Sequence, residues 1–216
     1  SAFADAEQLK GGVETLYGGE GSAGANQVLQ DAKTAYREAG LSANEYMETA
    51  TSFAASLTNS LGGDTVKAAQ MAKTAIVDMS DNANKMGSDI ESIQNAYNGF
   101  SKQNFTMLDN LKLGYGGTQS EMQRLLDDAN RLNKAAGRNT DYQIKNYADI
   151  VSAIHDVQTQ MGIAGTTQAE AADTISGSIG MLKGAYSNLV AGLADENADL
   201  GQLFTDVTDA AGAVFK

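Results

Sequence analysis

Not one of the 216 residues is proline. Proline removes a backbone donor and blocks a helix interior, so a chain without it can run helices anywhere with no kink and no lost hydrogen bond. Ordinary usage would place roughly ten prolines in a chain of this length. The rest of the composition points the same way: aromatics make up 6% and tryptophan is absent. A core of Ala, Leu, Ile and Met suits closely approaching helices better than stacked sheets, whose strands favour β-branched and aromatic residues.

Helix starts recur along the chain. Ser42 with Glu45, Ser88 with Glu91, Thr118 with Glu121, Thr140 with Gln143 and Thr167 with Glu170 all fit the capping box. In that box a hydroxyl accepts from the amide three residues on, and the Glu or Gln reaches back. Asp64 is a further cap, ahead of Thr65 and Val66. Gly40, Gly62, Gly63, Gly87, Gly137 and Gly162 each follow a periodic run, where a left-handed residue ends a helix. These signals predict helices over 3–16, 24–39, 43–60, 65–86, 89–102, 119–136, 141–161, 167–194 and 198–214.

Periodicity agrees. Val66, Ala69, Ala72, Ile76, Met79, Ala83 and Met86 fall at three- and four-residue steps, as do Tyr147, Ile150, Val151, Ile154, Val157 and Met161. The expected fold class is all-α: a multi-helix bundle of eight or nine short-to-medium helices joined by Gly-rich turns. The irregular stretch 103–117, with one helical turn over 106–111, suggests two helical subdomains, 1–105 and 106–216. No fixed-period repeat and no sustained heptad is present, which argues against a solenoid or a single rod.

The net charge of −12 and the lack of any Lys/Arg cluster argue against a sequence-independent grip on nucleic acid. No cysteine is present, so disulfide and thiolate chemistry are excluded. No run of 18 uncharged apolar residues offers a simple membrane span. The N-terminus has no charged-then-apolar leader, and Ser1 reads as the mark of excision from something longer.

Candidate chemistry is thin. The single histidine, His155, lies at the edge of an apolar stripe between Ile154 and Val157. It reads as a helix-surface or boundary residue, because a metal or acid–base role needs partners and no second His or Cys exists. Asp156 points elsewhere on the helix; Asp149 and Thr159 are better placed but unspecific. Substitution of His155 by Ala is expected to be nearly silent. Leu113-Gly114-Tyr115-Gly116-Gly117-Thr118 lacks the Lys and Ser/Thr of a phosphate loop and reads as a turn feeding the Thr118 cap. Gly18, Gly19, Glu20 and Gly21 read as a turn too.

Asp195, Asn197 and Asp199 have the opening spacing of a calcium loop, but Leu200 stands where glycine is needed and Asp206 where glutamate is needed. The cluster reads instead as an acidic lead into the last helix. The stretch 175–194, opening on Ile175 and closing on Ala194, carries Gly177, Ser178, Gly180, Met181, Gly184 and Ala185 at three- and four-residue steps. Small faces let helices approach closely. Lys183 and Asn188 argue against insertion into lipid, so tight helix packing is the expected role. No catalytic, cofactor-binding or metal-binding residue is assigned.

Residues 40–61, 62–87, 90–129 and 147–195, in that order, resemble tape measure proteins of long-tailed phages and prophages of Gram-positive hosts. The resemblance runs from about Val13 to Asp195. Its most specific marks are Ser80-Asp81-Asn82-Ala83-Asn84-Lys85-Met86-Gly87 and the segment from Leu113 to Met122. It implies a fragment of an elongated helical protein that templates tail-tube assembly, sets tail length and helps genome ejection. Implied partners are the tail tube protein, tail assembly chaperones and tail tip or baseplate proteins, with self-association and with membrane contact only during ejection. The implied location is the tail lumen of the virion, and the host cytoplasm during assembly. No cofactor and no enzymatic activity are implied. Two alternatives stand beside this reading: a membrane-active module built on residues 175–194, and a cell-wall-acting enzyme. At about 1.5 Å per residue the chain spans at most roughly 320 Å, so it is part of a ruler only.

Overall fold

The computed structural model describes residues 2–173, 175–192 and 199–214. They form eleven α-helices, one short 3-10 turn and no strand, so the protein is an all-helical bundle. In chain order the helices are α1 (Ala2–Leu16), α2 (Ala23–Glu38), α3 (Ala43–Ser52), α4 (Ala54–Ser60), α5 (Thr65–Met86) and α6 (Ile90–Ser101). The 3-10 turn Leu108–Leu111 follows, then α7 (Gln119–Ala135), α8 (Tyr147–Gln160), α9 (Thr166–Asp173), α10 (Ile175–Gly192) and α11 (Leu200–Val214).

Local chemistry explains most of the ends. Ser42 and Glu45 close a complete capping box on α3, and Asp64 caps α5 by accepting from the Lys67 amide. Thr118 caps α7 through the Glu121 amide, but the Glu121 carboxylate turns to the Gly116 amide instead of reaching back. Gly40, Gly62, Gly87, Gly137 and Gly162 all sit at positive φ, as expected of helix stops.

Four expectations need correction. The helix expected over 43–60 breaks at Phe53, whose φ of −124° and ψ of 14° leave the helical region while its ring is buried. The Ser88 cap is displaced by one residue, because the Asp89 carboxylate takes the Ser92 amide. The Thr140 box does not form: the Gln143 amide donates to Asp149, and Thr140 and the Tyr142 amide are held by Asn130. Helix α8 therefore starts at Tyr147 with Asn146 as its cap. The helix expected over 167–194 is present as α9 and α10, with residue 174 outside the described set, and α9 is not capped by Thr167. At Thr140 and Thr167 partners from α7 and α5 outbid the local cap, and the break at Phe53 divides one expected helix into two.

Helix α5 is central. It packs against α2, α3, α4, α6, α8 and α9. The predicted stripe supplies buried Ala69, Ala72, Ile76 and Met79, and Ala68 and Ala75 join it. Alanines let the neighbouring helices come close, while bulk comes from Tyr17, Tyr46, Tyr97, Phe100, Leu57 and Ile93, all buried. Fully burying one such large apolar side chain contributes about 1.5–3 kcal/mol. Two tyrosine hydroxyls that enter the core find backbone acceptors, Tyr17 donating to the Ala50 carbonyl at 2.5 Å and Tyr147 to the Tyr97 carbonyl at 3.0 Å, while those of Tyr46 and Tyr97 are buried without a partner. One continuous apolar core includes residues on both sides of position 105, from Val13 to Ile163. Met161, placed on the α8 stripe by periodicity, is 44% exposed, because α8 has ended before it.

Candidate functional site

The feature that sets this bundle apart is a polar network buried in its middle. Asp78, Asp81 and Asn82 on α5 and Gln158 on α8 form it and are all buried, while the buried Ser80 hydroxyl on α5 has no partner. Their positions follow from the helical step. Asp78 lies three residues after Ala75 and Asn82 three after Met79, so both continue the apolar face that faces α8.

A buried polar group costs free energy unless it is hydrogen-bonded. Here most partners come from distant elements. The Asn82 amide nitrogen donates to the Leu111 carbonyl at 2.9 Å and to the Gln158 side-chain oxygen at 2.8 Å. Gln158 in turn donates to the Asp78 carbonyl at 3.1 Å. The Asp81 carboxylate accepts from the Gly165 amide at 2.8 Å and the Thr167 amide at 3.0 Å, so a residue of α5 caps α9. Negative charge at a helix N-terminus is favoured by the exposed amides and the helix dipole.

His155 joins this network. Its Nδ1 lies 3.0 Å from both carboxylate oxygens of Asp78. The histidine is a boundary residue as expected, with 43% of its side chain exposed, but Asp78 beside it is only 2% exposed. Burial pushes the Asp78 carboxyl up to about 6, against the opposing pull of His155. The hydrogen bond that its ring donates to the Asp78 carboxylate holds the imidazole above its ordinary value. Asp149 and Thr159, the partners suggested by spacing, do other work: Asp149 accepts from the Gln143 amide, and Thr159 donates to the His155 carbonyl. Asp156 points away, accepting from Asn133 and Tyr142.

The glycine-rich segment before α7 is a packed turn. Gly117 lies so close to the Thr106 carbonyl that a Cβ would come within 2.2 Å of its oxygen. Tyr115 donates to Asp128 at 2.5 Å, and Arg124 stacks over its ring. Gly18, Gly19 and Gly21 form a turn at positive φ.

Of the calcium-like cluster, Asp195 and Asn197 lie outside the described residues. Asp199 caps α11 through the Gln202 amide, and Asp206 is committed to Arg37 and Gln202. Among the described residues no group of three His, Cys, Asp or Glu side chains could hold a metal ion. Within the small-residue stretch, Gly184 shows the close approach expected: a Cβ there would sit 2.7 Å from the Tyr36 Cβ. Asn188 is buried and accepts from the Ala43 amide. The side chains of Gly177, Ser178 and Gly180 are outside the described set. Among the described residues no helix is long and apolar enough to cross a membrane.

Two surface grooves accompany the network. One, about 450 Å³, is lined by Asp5, Gln8, Leu9, Asn44 and Glu48 between α1 and α3. The other, about 410 Å³, is bordered by Leu113, Leu132, Val157 and Met161. No protein-family model, curated protein or solved structure matches the chain.

Proposed function

We propose that this chain is a structural segment of a phage tail tape measure protein, acting through helix–helix contacts in tail assembly and genome ejection and not as an enzyme. The observation that carries the proposal is the ordered resemblance of residues 40–61, 62–87, 90–129 and 147–195 to that family. The use made of the most family-like residues supports it. Asp81 and Asn82, within the first of the two specific marks, spend their polar groups holding α5 to α8, α9 and the 3-10 turn. Tyr115 and Gly117, within the second, pack the turn that feeds α7. Residues employed this way build an architecture and leave little for substrate. In this reading the partners are the tail tube protein, assembly chaperones and tip or baseplate proteins, and the place of action is the tail lumen.

The test is tail length after in-frame deletion of residues 118–195 from the encoding gene. Tails shortened by roughly 120 Å, at 1.5 Å per residue, would mark the segment as a helical ruler. Absent tails, or tails of normal length that do not infect, would mark it as an assembly or ejection domain. Normal tails with normal infectivity would overturn the proposal.

A further inference from the structure

The chain holds one Asn–Gly pair, Asn98–Gly99. Such a pair can rearrange without a catalyst. The backbone nitrogen that follows an asparagine attacks the side-chain carbonyl carbon, and glycine in the second position leaves that nitrogen unhindered. Packing favours the glycine here. A Cβ on Gly99 would lie 3.1 Å from the Asn104 carbonyl oxygen and 3.2 Å from Met107 Cε, so a side chain would crowd the turn that follows α6.

The pair sits in the last turn of α6. In a helix the Gly99 amide points along the axis to the carbonyl four residues before it, away from the Asn98 side chain. Asn98 Oδ1 lies 3.2 Å from Ser52 Oγ on α3, and the Asn98 carbonyl accepts from Ser101 Oγ at 2.6 Å. The Gly99 carbonyl accepts from the Lys102 and Asn104 amides, both at 2.9 Å. Closed in this way, the two reacting atoms are kept apart. The end of the turn is nevertheless strained. Gly40, Gly62, Gly87, Gly137 and Gly162 stop other helices, whereas α6 is followed by Gln103 at a φ of 60°. Left-handed backbone is unfavourable for a residue with a Cβ. The Gln103 side chain helps to hold it there, its Nε2 donating to the Ile144 carbonyl at 3.0 Å.

We propose that Asn98 is a self-modification site gated by the last turn of α6. When that turn unwinds, the Gly99 nitrogen loses its proton to solvent and bonds to Asn98 Cγ. The bond from Cγ to the side-chain nitrogen breaks, ammonia leaves, and a five-membered imide remains. Water then opens the imide at either carbonyl, giving aspartate or isoaspartate; nothing is oxidised or reduced. Either product hinders reclosure. Aspartate adds negative charge at a helix C-terminus, where the dipole disfavours it. Isoaspartate adds a backbone carbon that breaks the helical repeat. The damage reaches the core, because Tyr97 and Phe100 flank the pair and are both fully buried, and the Tyr97 carbonyl is the acceptor for Tyr147.

Peptide mass spectrometry after incubation of the intact chain at mildly alkaline pH tests this, by following the exchange of an amide for a carboxyl group at residue 98. The folded chain is expected to react at least about tenfold slower than the same chain unfolded in guanidinium chloride. In Gln103→Val, a β-branched residue at positive φ opens the turn, and the folded-state reaction is expected to run about tenfold faster than in the parent. Asp81→Ala, which weakens the fold at α9, is expected to leave that rate near the parent's. Equal rates in the folded and unfolded parent would overturn the proposal, because the turn would then gate nothing. So would an unfolded chain in which Asn98 stays intact. Equal acceleration by Gln103→Val and Asp81→Ala would show that the whole fold has to open, and no acceleration by Gln103→Val would show that this turn is not the gate; both reject the local site. The comparison of folded and unfolded parent decides even where a variant fails to fold.

Discussion

Asp78 on α5 and His155 on α8, 77 residues apart in the chain, face each other with the imidazole Nδ1 at 3.0 Å from both carboxylate oxygens. The carboxylate is buried and the ring is half-exposed, so the histidine works as the solvent-side cover of an acidic group that the core cannot solvate.

The substitution His155→Ala follows from this geometry. Read from sequence alone it is a surface change and nearly silent. With Asp78 left buried and short of its partner, the expected loss is about 1–3 kcal/mol. Urea unfolding of the variant decides the matter. A loss under about 0.5 kcal/mol, the range of ordinary surface substitutions, would show that the pair contributes nothing.

Stability should also depend on pH through the same pair. Asp78 has its folded value raised from 3.8 to about 6, so its contribution is full below 3.8 and is lost as pH rises through 6. His155 is raised from 6.5, so its contribution is full below 6.5 and is lost above its folded value. The negative charges of Asp81 and Asp156 nearby push both values in the same upward direction. Both signs agree, whichever partner holds the proton. The unfolding midpoint is expected to fall between pH 4 and pH 8, and to fall less in the Asp78→Asn, His155→Gln double variant. A midpoint that rises over this range in the parent would contradict the assignment.

Asp81→Ala removes the carboxylate that accepts from the Gly165 and Thr167 amides. The Gly165 and Thr167 amides at the start of α9 lose their cap, and about 0.5–2 kcal/mol of stability should go with it. Circular dichroism during denaturant titration measures the loss. Asp81→Asn, which keeps one acceptor oxygen, should recover part of it.

Two glycines give opposite expectations. In Gly117→Ala the new Cβ would meet the Thr106 carbonyl oxygen at 2.2 Å, and the backbone there cannot move without disturbing the α7 start. Overpacking of this kind costs about 1–3 kcal/mol. In Gly11→Ala, inside α1, a Cβ meets nothing within 4 Å. Here the lower entropy of the unfolded chain should stabilise by about 0.4–1 kcal/mol. Thermal melts of both variants check the pair, and equal shifts would refute the packing argument.

Much of this was legible before the structure. The caps at Ser42, Asp64 and Thr118 and the glycine stops stand where the sequence places them. The turn within 106–111 is there as Leu108–Leu111. Thr140 misled because a capping box is judged by its own four residues, and Ser88 because the next residue, Asp89, is as good a cap. Asp149 takes the Gln143 amide, Asn130 holds Thr140 itself, and Asp89 caps α6 one residue further on. The buried network did leave a trace: Asp78 and Asn82 occupy the register of the α5 apolar stripe. A polar residue in that register signals a partner across the interface, but not which one.

Helix class, the helix ends at Ser42, Asp64 and Thr118 and the apolar faces are properties of residues three or four apart, so the sequence by itself determined them. Short-range hydrogen bonds and side-chain periodicity need no knowledge of the rest of the chain. The pairing of Asp78 with His155, the capping of α9 by Asp81 from 84 residues away, and the docking of α10 at Tyr36 were decided only by the tertiary structure. Each depends on which helix faces lie against α5 and α2. That choice is made by packing the whole core at once, where a buried polar group must take whatever donor or acceptor the neighbouring helix brings within reach.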